Sequence, residues 1–172
     1  MDFFLADPHL GHENIVLYCG RPFKNIAEMD SVIITNWNSV VKSTDTVFLL
    51  GDFSLANAER ITKYINALTG KIILVAGNHD KRTVTFWRKR GVEAYKIPID
   101  YNDGEFLLSH EPISFPVIPN VHGHTHGNLH RGSFHVHGIH VCVSAEVVDY
   151  TPITVTSIRE KVAEIRKEEE YD

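Results

Sequence analysis

Three short apolar runs, Phe3 to Ala6, Thr46 to Leu50 and Ile72 to Ala76, each break off into a polar cluster, with helix-patterned segments between them. A run of four or five apolar residues that ends at turn residues reads as a buried strand. Between the first two runs, Ile26, Met29, Ile33, Trp37, Val40 and Val41 recur at helical spacing from about Asn25 to Val41. Between the second and third, Ala58, Ile61, Ile65 and Leu68 do the same from about Ala56 until Thr69 and Gly70 stop the helix. Strands alternating with helices pair in parallel, so their carboxyl ends share one sheet edge. That edge gathers Asp7, His9, Asp52, Asn78 and His79 despite their distance in sequence, and it is where α/β sheets place their chemistry.

The second half is strand-rich. A short basic helix spans about Thr83 to Arg90. Glu93 to Ile97 and Glu105 to Ser109 read as strands joined by the turn Tyr101-Asn102-Asp103-Gly104. Pro112, Pro116 and Pro119 stiffen the next loop, and another strand runs from about His135 to Ser144. An amphipathic helix, Thr156 to Glu169, closes the chain with Ile158, Val162 and Ile165 inward. The acids Glu168 to Glu170 oppose its macrodipole and predict fraying.

At 172 residues the expected organisation is one domain over 1–172. A net charge of −5 argues against a general nucleic-acid binder and against stable nucleic-acid binding. Cys19 and Cys142 have no metal-ligand spacing and make a poor disulfide framework, so a reducing compartment fits. The segment from Met1 to Asp7 has no basic, apolar and small-residue leader, and no apolar run spans a bilayer. The expectation is a cytoplasmic protein without a membrane partner. Oligomeric state is not legible.

Eleven histidines are more than a chain of this size needs, and seven lie between His122 and His140. Of these, His9, His110, His124 and His126 form with Asp7, Asp52 and Asn78 a mixed set of imidazoles and oxygen donors suited to divalent ions. Asp52 stands on the central strand unit and is the natural bridge between two ions. Pro8 pushes Asp7 towards extended geometry. Asp7 with His9, and His124 with His126, are expected on extended segments, each pair clamping one ion from the same side.

The order Asp7-Pro8-His9, Gly51-Asp52, Gly77-Asn78-His79-Asp80, His110, Gly123-His124-Thr125-His126 resembles the calcineurin-like metallophosphoesterases across nearly the whole chain. The resemblance implies a four-layer αββα sandwich of two mixed β-sheets flanked by helices. It implies one ion held by Asp7, His9, Asp52 and His126, and a second held by Asp52, Asn78, His110 and His124. His79 lies outside that ligand set. It adjoins Asn78 and suits the general acid, with Asp80 orienting its ring.

Departures narrow the resemblance. Phe53 to Ala56 follow Asp52, and Ala76 precedes Gly77, so the two phosphate-gripping arginines of the protein phosphatases are missing. Leu55 stands where purple acid phosphatases carry a tyrosine, which favours two divalent ions, Mn²⁺ first, with Ni²⁺, Fe²⁺, Zn²⁺, Co²⁺ or Mg²⁺ as substitutes. The pattern is that of compact, uncapped prokaryotic or phage-type phosphoesterases. The expected activity is phosphodiester hydrolysis on a small substrate such as a nucleotide. The alternatives are a phosphomonoesterase and a catalytically silent metal-binding scaffold. His12, Asn14, Arg21, Lys81 and Arg82 are candidate substrate contacts, although Asn14 equally suits a turn cap. Arg88 to Arg90 read as a solvated helix end. His122 reads as a partner of the ligand shell, and His130, His135, His137 and His140 as an exposed strand face.

Overall fold

The computed structural model describes residues 1–128 and 137–169. In chain order its first elements are β1 (Asp2–Leu5), α1 (Ile15–Tyr18), α2 (Ile26–Val40), β2 (Thr46–Leu49), α3 (Ala58–Ala67), β3 (Lys71–Val75) and α4 (Val84–Arg88). Then come β4 (Glu93–Tyr95), β5 (Ile99–Tyr101), β6 (Phe106–Leu108), β7 (Asn120–His122), β8 (His140–Cys142), β9 (Ile153–Thr154) and α5 (Val155–Glu169). One sheet has the order β4-β3-β2-β1-β9 and the other β5-β6-β7-β8. Both are mixed: β9 runs antiparallel to β1, and β5 antiparallel to β6, while the other pairs are parallel.

The sheets meet face to face through aromatic side chains. Phe4 stacks on Phe48 with ring centres 5.3 Å apart, and Tyr101 of the second sheet meets both edge-on at 5.5 and 5.3 Å. Such pairs contribute about 0.5–1.5 kcal/mol each beyond their buried area. Helices pack against this sandwich. α2 buries Met29, Ile33 and Trp37, α3 buries Ile61 and Ile65, and α5 buries Ile158 and Val162. α2, α3 and α4 start where the chain supplies a cap: the Asn25 side chain accepts from Glu28 N, that of Asn57 from Arg60 N, and Thr83 Oγ1 from Phe86 N. The α/β sandwich of two mixed sheets with helices thus stands as the resemblance implied.

Register fixes the functional edge. Leu5, Leu49 and Leu74 lie in one row across β1, β2 and β3, so the three loops that follow leave at the same height. Beyond the sheet, His9 N donates to Asp52 O and Leu10 N to Phe53 O, and the first two loops continue side by side. The second sheet is stitched to the same edge. Ala6 N donates to Val143 O, and Ala145 N donates to Ala6 O.

Three expectations change. The turn at 101–104 does not join the two strands expected around it, because β4 follows α4 back into the first sheet beside β3. The turn's partner is β5, and Asn102, Asp103 and Gly104 make the hairpin at φ of 50°, 55° and 89°. The brief elements α1, β7 and β9 are too short for periodicity to reveal. Of the strand expected from about His135 to Ser144 only β8 is a strand: residues 137–139 are described and lie outside it, while His135 and Val136 lie outside the described residues, as do His130 and Glu170. Among the described residues no helix is long and apolar enough to cross a membrane.

Candidate metal centre

The three rim loops and the loops after β6 and β7 bring Asp7, His9, Asp52, Asn78, His110, His124 and His126 to one place. Asp7, His9 and Asp52 are buried, as is His110. The backbone at this cluster is unusual. Asp7, His9, Asp52, His124 and His126 all have left-handed φ, between 50° and 67°. The expected extended Asp7-Pro8-His9 and His124-Thr125-His126 segments are therefore corrected. The turns fold back under tertiary contacts, at roughly 1–2 kcal/mol per residue for side chains other than glycine. Strain of this kind collects where side-chain direction matters more than local comfort.

Glycines let the loops approach. A Cβ on Gly77 would sit 2.6 Å from Asp52 N, and one on Gly123 would sit 2.6 Å from Asp7 Oδ2. Neither position tolerates a side chain without moving a candidate ligand.

Three buried polar atoms at the centre, Asp7 Oδ1 and the two ring nitrogens of His9, have no hydrogen-bond partner. Asp7 Oδ2 accepts from His124 N at 2.8 Å and Ser144 Oγ at 2.6 Å, while Oδ1 is buried without a partner. Both ring nitrogens of His9 are likewise buried and unpartnered. Burial, reinforced by the Arg21 guanidinium, keeps the His9 imidazole neutral by pulling its pKa far down. Burial also raises the pKa of Asp7, against the pull of His110 and His126. Asp52 Oδ1 accepts from His79 N at 2.9 Å. Its Oδ2 stands 3.6 Å from His9 Nε2 and 3.5 Å from His110 Nε2, too far for hydrogen bonds.

The other side is more telling. His110 Nδ1 lies 2.9 Å from Leu50 O, a carbonyl that only accepts, so in the neutral ring the proton sits on Nδ1. Nε2 then presents a lone pair, yet it faces Asn78 Oδ1 at 2.9 Å and His124 Nδ1 at 3.1 Å. His124 Nδ1 is itself 3.1 Å from Asn78 Oδ1. Asn78 Oδ1, His110 Nε2 and His124 Nδ1 thus converge to within 3.1 Å of one another, three atoms of the kinds that ligate divalent ions. Oxygen-and-imidazole donor triplets with atoms within 4.8 Å, Asp7 with His9 and His126, and Asp7 with Asp52 and His110, could hold a metal ion.

Two residues singled out in the sequence take other places than expected. The Arg21 side chain is fully buried and turned inward. It donates to Asp7 O at 2.7 Å, Pro8 O at 2.9 Å and Glu146 Oε1 at 2.7 Å, bracing the first loop instead of facing substrate. Asp80 does not bond the His79 ring. Its carboxylate accepts from the backbone amides of Asp52, Phe53 and Gly77, locking the second and third loops together. Burial nonetheless pushes Asp80 up to about 6.

The His79 side chain is 42% exposed, with Nε2 3.9 Å from Asp52 Oδ2. His79 and His12 share a cleft of about 230 Å³ with Tyr18, and the ring of His12 lies between those of His9 and Tyr18. Asn14 is exposed at the N-cap of α1, its side chain making no cap hydrogen bond. Lys81 is exposed, and Arg82 lies over the Phe86 ring. His122 is buried against His140, and His137 stacks on Phe115.

Sequence reasoning missed Glu146. Its Oε1 lies 2.9 Å from His126 Nδ1, the carboxylate–imidazole contact that orients a ligating ring. Arg21 and His126 outweigh burial and hold Glu146 down at about 2. Burial works against charge on His126, yet Cys19, Glu146 and Asp7 hold it up at about 10, so an ion loaded there would release a proton. A lone Glu after a short strand carries no motif, and no local signal points to it.

No family model matches the chain. It is 36% identical over 164 residues to the uncharacterized protein MJ1445 of Methanocaldococcus jannaschii, an alignment spanning 91% of this chain and 88% of the archaeal one. The chain belongs to the family of MJ1445. The Gene 66 protein of Mycobacterium phage L5 is 26% identical over 184 residues, covering 78% of this chain and 84% of that protein. Among solved structures, the protein of unknown function AQ665 from Aquifex aeolicus superposes with a TM-score of 0.72 at 29% identity, over 93% and 98% of the two chains. The nuclease MPE of Pseudomonas putida gives a TM-score of 0.52 at 20% identity, over 73% and 61%, and shares the fold with this relative of MJ1445.

Proposed function

We propose that this protein hydrolyses phosphodiesters at a centre of two divalent metal ions, Mn²⁺ foremost. The observation that carries the reading is the buried, unpartnered Asp7 Oδ1 and both ring nitrogens of His9, set beside Asn78 Oδ1, His110 Nε2 and His124 Nδ1, which converge to within 3.1 Å of one another. Asp7, His9, Asp52 and His126 would hold one ion; Asp52, Asn78, His110 and His124 would hold the other, with Asp52 between them. Two such ions supply a nucleophilic water at neutral pH and neutralise charge on the phosphoryl oxygens.

The chain's own residues do the rest. Arg21 and Glu146 fix the first loop and the His126 ring. Asp80 ties the Asp52 and Asn78 turns at one height. His79, half-exposed beside Asp52, donates a proton to the leaving oxygen as the ester P–O bond breaks and the bond from water to phosphorus forms. Clefts on both sides of Asn78 give room for two ester arms, which favours a diester over a monoester. The fold shared with a nuclease is compatible with this chemistry.

The test is to strip the protein of metal and restore Mn²⁺. Bound ions are then counted while bis-p-nitrophenyl phosphate and p-nitrophenyl phosphate are offered separately. Two ions per chain and faster turnover of the diester are expected. Fewer than two ions, or turnover of neither ester, overturns the proposal.

A further inference from the structure

Two clefts open from the donor cluster, and Asn78 lines both. The smaller contains His12, Tyr18 and His79. The larger, about 430 Å³, runs along Lys96, Ile97, Glu111, Pro112 and Ile113, and a volume of that size suits a small-molecule arm. Its position follows from the sheet. β4 pairs with β3 so that Tyr95 faces Val75, and Ala76 N donates to Tyr95 O at 2.8 Å. Lys96 therefore leaves β4 at the same rim as the Gly77-Asn78 turn, one strand further out. Along that rim the order is Lys96, Asn78, Asp52, Asp7.

Lys96 is exposed and has no carboxylate in ion-pair range among the described residues, whereas Lys71 on the neighbouring strand pairs with Glu93. Beside it Ile97, an apolar side chain lining the same cleft, is 68% exposed. A cation next to an apolar wall, opening onto an anion-handling centre, suits a group that carries both a ring and a phosphate. His79 lines only the smaller cleft, so the leaving arm belongs there. The retained arm then has the Lys96 cleft to itself.

We infer that the cleft along Lys96 and Ile97 receives the retained arm of the phosphodiester and that Lys96 engages a second phosphate on that arm. This makes short oligonucleotide-type diesters the substrate class. The inference rests on the phosphodiesterase reading above. Glu111, on the same cleft, offers an acceptor to a sugar hydroxyl or base amine.

The retained product of such a substrate is a nucleoside bisphosphate, so the probe is thymidine 3′,5′-bisphosphate against thymidine 5′-monophosphate. Binding of each to the Mn²⁺-loaded protein is measured by titration calorimetry, for the wild type, Lys96→Ala and the charge control Lys167→Ala on α5. The bisphosphate should bind wild type and Lys167→Ala roughly tenfold more tightly than the monophosphate, the scale of one charge-assisted contact. Lys96→Ala should erase that difference. Hydrolysis of bis-p-nitrophenyl phosphate, which has no second phosphate, should run at the same rate in the wild type and in Lys167→Ala, whose substitution lies outside both clefts. If the wild type hydrolyses that diester but binds both nucleotides equally, or Lys96→Ala keeps the preference, the inference falls and the phosphodiesterase reading stands. If the wild type hydrolyses no diester, both fall.

Discussion

At the scale of the residue, His79 and Asp80 divide the work differently from what their adjacency suggests. Asp80 is buried and committed to three backbone amides, whereas His79 is half-exposed and faces the cleft with His12. A group that holds loops and a group proposed to move a proton should separate on mutation. His79→Ala is expected to keep both ions and to slow hydrolysis of a diester with an alkyl leaving group by roughly 10²–10⁴-fold, the range for a lost general acid. Turnover of that ester at the wild-type rate would remove His79 from the mechanism. Nitrophenolate departs without protonation, so activated esters should respond less. Both residues were legible in the sequence as chemistry; the role of Asp80 was not, because its partners are the amides of a loop 27 and 28 residues away.

At the scale of the element, the centre depends on loops that approach more closely than side chains allow. The strand ends are level because Leu5, Leu49 and Leu74 share a row, and the loops then cross with glycine at the contact points. Gly77→Ala places a Cβ against the Asp52 carboxylate and amide. Forcing that contact should destabilise the fold by about 1–3 kcal/mol, the usual scale of overpacking. It should also weaken ion binding, read as a lower denaturation midpoint and fewer bound ions at limiting Mn²⁺. A variant that melts and loads like wild type would mean the loops have slack. The strand-helix alternation that levels these ends is written in periodicity. The hairpin of β5 and β6 was misassigned because three-residue strands have no period to read, and only pairing with β3 places β4 in the other sheet.

At the scale of the whole molecule, α5 and the second sheet are tied by Arg159, whose Nε and Nη2 reach Glu105 at 2.6 and 2.9 Å. The guanidinium holds the Glu105 carboxyl down at about 2, below its ordinary 4.5. A pKa depressed in the folded state contributes stability that is fully present above about pH 4.5 and is lost as pH falls towards 2. The pair is partly exposed, so the effect is modest and screened by salt. Thermal melts should show wild type above Glu105→Gln at pH 6, with the gap closing below pH 4.5. A gap independent of pH would assign the loss to packing instead.

The chain by itself determined the strand-helix frame, the shared sheet edge and the residue types gathered there. Those are carried by short-range periodicity and by side chains whose chemistry has no use in a core. Only the tertiary structure decided the left-handed turns at Asp7, His9, Asp52, His124 and His126, the inward turn of Arg21 and the part played by Glu146. Arg21 and Glu146 meet across 125 residues of chain, and the turns are held against their local preference by such contacts. Interactions between segments far apart in sequence leave no local pattern, so they become visible only when the chain is folded.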